Sequence, residues 1–175
     1  MDGELDMKNK WLRWTAYFAG GLLLLVSVVY LVGLSRPELV VANCEIEIRK
    51  PVPYVFQLVA NPMKAKDWYS EVDSVEILSE KPLRYRMTSA GVSGDMETTL
   101  LEPNQRVVTK TLSHGMGMSG EWDTRFSATE TGTKIVHSAR MNFSNPFLRF
   151  MTLIMDANQE EMKTLEVLKK YAESH

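Results

Sequence analysis

The pattern of apolar and polar positions divides this chain into three stretches. The first is the uncharged block Thr15–Leu34, TAYFAGGLLLLVSVVYLVGL. Its 20 residues, wound as a helix, rise about 30 Å, the thickness of a bilayer's hydrocarbon core. A helix meets its own backbone hydrogen-bonding needs, so the block predicts a transmembrane anchor. In the middle stretch the period shortens to two. Strands are expected at Leu39–Arg49, Val72–Leu78, Leu83–Thr88, Asp95–Leu101, Val107–Leu112, Gly120–Ser127 and Lys134–Phe143. Pro51 and Pro53 open a short helix with Val52, Val55, Phe56 and Val59 on its apolar side, and a second helical segment runs from Lys64 to Tyr69. The last stretch returns to helical spacing. Asn145-Pro146 introduces a helix expected to reach about Ala172, with the face Met151, Met155, Asn158, Met162, Leu165, Leu168. Short links between successive strands predict antiparallel hairpins, because parallel pairing needs long crossovers.

The flanks of the apolar block refine the anchor. Lys8, Lys10 and Arg13 precede it and Arg36 alone follows closely, so the N-terminus is expected in the cytoplasm and the C-terminal domain on the outer side. Trp11, Trp14, Tyr17 and Tyr30 are suited to the headgroup zones. A cleaved signal peptide has an apolar stretch of only about 7–15 residues, and the nearest small-residue site, Val40-Val41-Ala42, lies far downstream. The expected organisation is a flank over 1–14, an anchor over 15–34, a linker over 35–38 broken by Pro37, and one domain over 39–175.

Charge narrows the partners. The net charge is −2 and no basic stripe is present, which excludes a nucleic-acid surface of the usual kind. Cys44 is the single cysteine, so no internal disulfide forms. His114-Gly115-Met116-Gly117-Met118 offers imidazole and thioether donors suited to Cu(I), yet no second His or Cys stands at ligand spacing. The two glycines there read as a turn, and no metal or other cofactor is called for.

The order of one strand, two short helices, six strands and one long helix resembles the START-like helix-grip superfamily (SRPBCC) in its polyketide cyclase/dehydrase-like branch. The residues that carry the likeness are Ile46-Glu47-Ile48 running into Pro51, Pro53, Val55 and Phe56, then Asn61-Pro62 and Trp68. They continue in Gly120-Glu121-Trp122-Asp123 with Phe126, Gly132-Thr133-Lys134-Ile135-Val136, and the closing Leu165, Leu168, Lys169 and Tyr171. The likeness spans about Val40 to Ala172. It implies an α+β helix-grip fold, a curved antiparallel sheet around a long C-terminal helix with a cavity between them, here preceded by one transmembrane helix. Family members carry lipids, bind hormones or quinones, or cyclise polyketides. No cyclase's catalytic set can be placed on these residues, so no catalytic residue is assigned; His137 is the only candidate.

Side chains alternate faces along a strand, so parity selects the inner wall. The selection is Tyr85, Met87, Met96, Trp122, Phe126, Ile135, His137, Ala139 and Met141, approached from the last helix by Met155, Asn158 and Met162. Such an apolar wall with few polar groups suits a hydrophobic or amphiphilic ligand; the same residues also suit a solid core. His137 and Asn158 are expected to meet, either as a satisfied buried pair or to orient a ligand's polar group. The apolar run Phe147–Met155 fits either a cavity mouth resting on the bilayer or packing against the two short helices. The expected function is a membrane-anchored binder of a lipid, quinone or polyketide-like ligand. The alternatives are a cyclase or dehydratase using His137, and a ligand-free interaction module using the outer face of Glu121, Asp123 and Arg125.

Overall fold

The structure, a computed structural model, describes residues 2–114 and 117–175. A long helix α1 (Asp2–Ser35) leads into β1 (Leu39–Ile48). Next come α2 (Val52–Ala60), a 3-10 turn at Pro62–Lys64 and α3 (Ala65–Trp68). Six strands follow: β2 (Val72–Glu80), β3 (Leu83–Ser89), β4 (Val92–Glu102), β5 (Arg106–His114), β6 (Met118–Ala128) and β7 (Thr133–Phe143). All seven form one antiparallel sheet in the order β1-β7-β6-β5-β4-β3-β2. The helices between β1 and β2 carry the chain from one edge of the sheet to the other. Register shifts in the β2–β3 and β4–β5 pairs bend the sheet, as bulges do.

The expected single closing helix is two helices, α4 (Pro146–Met151) and α5 (Ala157–Ser174). Asp156 causes the restart: its Oδ1 accepts the backbone N–H of Asn158 at 2.9 Å and of Gln159 at 3.4 Å, the N-cap geometry that begins a new helix. A short carboxylate at that point competes for the backbone and ends any continuous reading of the apolar spacing.

α5 lies along β1 and closes one half of the concave face. There the core joins Ile48, Val55, Phe56, Leu58, Phe126, Ile135, Leu165, Leu168 and Ala172, with the Phe56 and Phe126 rings edge to face at 5.4 Å. Trp68 donates its indole N–H to the Leu58 carbonyl at 3.1 Å, tying α3 to α2.

α4 does not pack on α2 or α3; it lies against α1. Gly33 is buried there, and a Cβ on it would stand 1.9 Å from the Pro146 carbonyl oxygen, so only glycine permits the contact. Tyr30 and Phe147 meet beside it, ring centroids 5.8 Å apart. Within α1, Arg13–Ser35 is a 23-residue candidate span, 6% buried.

The convex face carries charge. Arg106 grips Asp123 through both carboxylate oxygens, at 2.8 and 2.9 Å, and Arg125 adds a contact at 3.1 Å. The Arg106 bond, opposed by burial and helped by Arg125, holds the Asp123 carboxyl below the usual aspartate range. A carboxyl depressed in the folded state stabilises the fold above its unfolded pKa of about 3.9, and that stability is lost as pH falls through the folded value. Asp123→Asn is therefore expected to lower stability at neutral pH and to flatten its decline in acid below about pH 4, measured as melting temperature against pH.

Candidate functional site

The polar heart of the concave face is built from two strands and one helix. Trp122 and Thr124 on β6 pair across the ladder with Ala139 and His137 on β7. On α5, Glu161 precedes Leu165, Leu168 and Ala172 on the inward stripe, at the same helical spacing. Its two oxygens reach different partners. Glu161 Oε2 lies 3.2 Å from His137 Nε2, and Glu161 Oε1 accepts the Trp122 indole N–H at 3.3 Å. The other ring nitrogen, His137 Nδ1, is 2.9 Å from the Thr124 hydroxyl. The side chains of His137 and Glu161 are only 11% and 16% exposed.

Two proton arrangements satisfy this chain of contacts. With a neutral imidazole, Nε2–H donates to Glu161 and Nδ1 accepts from Thr124. With an imidazolium, both nitrogens donate. Either way both nitrogens of His137 are engaged by protein groups. Glu161 uses two of a carboxylate's roughly four acceptor positions and keeps the others. Gly120 makes room for the indole, since a Cβ there would stand 2.7 Å from the Trp122 ring.

Around this cluster the concave face is only partly closed. Met87, Met96, Trp122 and Met141 are half-buried, as are Thr98, Thr109 and Thr111, which the ladders place on the same side. Tyr85 faces Met96 across β3–β4 and is buried, and burial, offset by a bond to Thr109, raises its phenol pKa. A filled core would close these side chains as it closes Ile135 and Leu168 at the other end. These half-buried side chains leave an apolar surface uncovered beside the Glu161 cluster.

The residues singled out from sequence fall into separate sets. Tyr85, Met87, Met96, Trp122, His137, Ala139 and Met141 gather on or beside this open half, whereas Met162 packs against the closed core and borders a cleft with Asn43, Cys44 and Asn158 on the β1 side of α5. Phe126 and Ile135 share its strand faces but belong to the packed core. Met155 and Asn158 are exposed, and neither approaches His137. The break before α5 turns them away: the Asn158 side-chain oxygen accepts the backbone N–H of Asn43 at 2.9 Å, and its carbonyl accepts from the Cys44 thiol at 3.2 Å. His137 meets Glu161 in place of Asn158. Burial, then the charges of Glu161 and Asp156, push the Cys44 thiol pKa up, which makes it a poor nucleophile. Of the His114–Met118 stretch, Gly115 and Met116 lie outside the described residues. Among the described residues no cluster of three His, Cys, Asp or Glu side chains is placed to hold a metal.

Fold and site together define a helix-grip protein of the START-like (SRPBCC) class. The chain belongs to the family described as polyketide cyclase/dehydrase and lipid transport, whose model matches residues 41–173. Among solved structures it is similar to Ara h 8.0201, at 12% identity and TM-score 0.61, over 78% of this chain and 99% of that one. It is also similar to the di-domain ARO/CYC StfQ of the steffimycin biosynthetic pathway, at 12% identity and TM-score 0.63, over 78% of this chain and 52% of that one. A norcoclaurine synthase point mutant from Thalictrum flavum, in complex with a transition-state analogue, aligns at 12% identity and TM-score 0.59, over 78% and 96% of the two chains. At these identities the likeness is one of fold. A search of the curated proteins finds no match.

Proposed function

We propose that this protein is a membrane-anchored binder of an amphiphile, held on the open half of the concave face, with Glu161 receiving its polar end. The observation that carries this reading is the pairing of a half-open apolar wall with one fixed carboxylate. Met87, Met96, Trp122 and Met141 supply the apolar surface, and methionine adapts to varied ligand shapes. His137 and Trp122 hold the carboxylate in place, so its remaining acceptor positions select a ligand with a hydroxyl, amide or ammonium donor. Lipids and quinols fit that description.

The anchor reading rests on Arg13–Ser35, apolar and exposed over most of its length, with its basic flank at the N-terminal side. The fit of Gly33 against Pro146 favours a helix that stays attached, since a removed leader leaves α4 without its partner. The basic flank favours a cytoplasmic N-terminus with the domain outside. A tether beside the source raises the effective concentration of a membrane-borne ligand.

Proton-transfer catalysis of the cyclase or dehydratase type draws on the same His137–Glu161 contact. In that reading Glu161, which keeps open acceptor positions, moves the substrate proton, and His137 supports it from 3.2 Å. Turnover that Glu161→Gln abolishes, with ligand retention unchanged, would favour that second reading.

The test is photo-crosslinking in membranes holding the full chain, with a phospholipid carrying a diazirine in its acyl chain. Adducts on Met87, Met96, Trp122 or Met141 are expected. Adducts confined to α1 would contradict a ligand on the concave face.

A further inference from the structure

We propose that the segment Phe147–Met155 is inserted into the interfacial layer of the bilayer that holds α1, seating the domain on the lipid surface. This rests on the anchor reading above and adds a second membrane contact made by the domain itself. Phe147 borders an open cavity of about 360 Å³ whose other walls are Val26, Ser27, Tyr30 and Leu31 of α1. Those residues lie four to nine positions before Ser35, or roughly 6–14 Å along a helix rising 1.5 Å per residue. A helix packed beside the last turns of a span sits at the depth of those turns.

The chemistry of the segment matches that depth. Phe147, Met151, Leu153, Ile154 and Met155 are exposed, Ile154 at 72%. Arg149 is the only charged residue between 147 and 155, and it is turned inward. Its guanidinium donates to the Ser144 carbonyl at 3.0 Å and pairs with Glu38 at 3.0 Å. The turn also satisfies its own backbone: the N–H groups of Thr152, Leu153, Ile154 and Met155 are bonded to carbonyls of residues 149–151. The Thr152 hydroxyl is bonded to the Arg149 carbonyl at 2.7 Å. Water does not require a loop to pair every donor; lipid does. Leu39 and Val41, also exposed, extend the apolar surface onto β1. A pocket of about 570 Å³ adjoins this surface, with Leu39, Val41, Leu153, Ile154 and Met155 among its walls.

The experiment uses the full chain in vesicles of phosphatidylcholine and phosphatidylglycerol, with an environment-sensitive fluorophore on one introduced cysteine. Cys44 is buried and stays in place, with the unsubstituted chain as the labelling control. Ile154→Cys is expected to give blue-shifted emission that falls several-fold with a quencher near the lipid headgroup. Leu25→Cys, in the span, should respond to a quencher deep in the acyl chains. Glu130→Cys, in the turn at the opposite end of β7, should respond to neither. If Leu25 responds and Ile154 does not, the seat is overturned and the anchor stands. Energy transfer between copies at Ile154 without lipid quenching makes the patch a dimer contact and overturns it too. If Leu25 fails to respond, the anchor reading falls and takes the seat with it.

Discussion

Leu168→Ala is expected to cost the domain about 2–5 kcal/mol of unfolding free energy, a large part of the roughly 5–15 kcal/mol that a domain commonly has. Leu168 is 1% exposed and sits where α5 meets the sheet, in one cluster with Ile135, Phe126 and Val55. Truncation removes the apolar contact and leaves a void that fixed strands on β6 and β7 cannot collapse into. Denaturant unfolding of the full chain in detergent micelles, followed by circular dichroism, measures the loss. A cost under about 1 kcal/mol would mean that α5 is held less tightly than its burial implies.

Glu161→Gln is expected to weaken ligand retention about tenfold, which is about 1.4 kcal/mol, with little change in melting temperature. Glutamine matches the carboxylate in shape and keeps an acceptor for the Trp122 indole. Its NH2 turns to His137, whose other neutral tautomer takes it, with the ring Nε2 accepting and Nδ1–H donating to Thr124. Glutamine loses the charge that strengthens a bond from a ligand's donor, and it offers a donor of its own in the same place. Glu161→Ala adds a stability cost of about 1–3 kcal/mol, because His137 and Trp122 then lack a buried acceptor. The two substitutions separate holding the fold from holding the ligand. Equal retention by wild type and Glu161→Gln, measured as ligand per chain after purification, would remove the carboxylate from the ligand's polar end.

Most of the architecture is legible in the sequence because it is written in local rhythm. The strand pattern, the proline at the start of α2 and the grouping of Tyr85, Trp122, His137 and Met141 on one face follow from alternation alone. Antiparallel register then keeps directly paired residues together, as Tyr85 with Met96 and Trp122 with Ala139. The closing helix is where this logic breaks. Met151, Met155, Asn158 and Met162 repeat at helical intervals, but Asp156 caps a new helix between them and resets the rotation.

That reset also hides the site's main polar residue. Searching β7 and its neighbours for an acid finds nothing beside His137, because the acid comes from α5. Glu161 could have been read from its place four residues before Leu165 on the stripe that continues through Leu168 and Ala172. A charge in line with buried leucines is a polar group directed inward. The packing of α4 on α1 had no such signal. It joins Gly33 to Pro146 across more than a hundred residues, and only the fold brings them together.

The most direct test of the account is native mass spectrometry of the full chain, released from its own membranes in mild detergent. The account predicts a second population heavier by one amphiphile that carries a hydrogen-bond donor, retained by wild type and depleted in Glu161→Gln and Met141→Asp. A single ligand-free mass, unchanged after exposure to total membrane lipid extract, would contradict it.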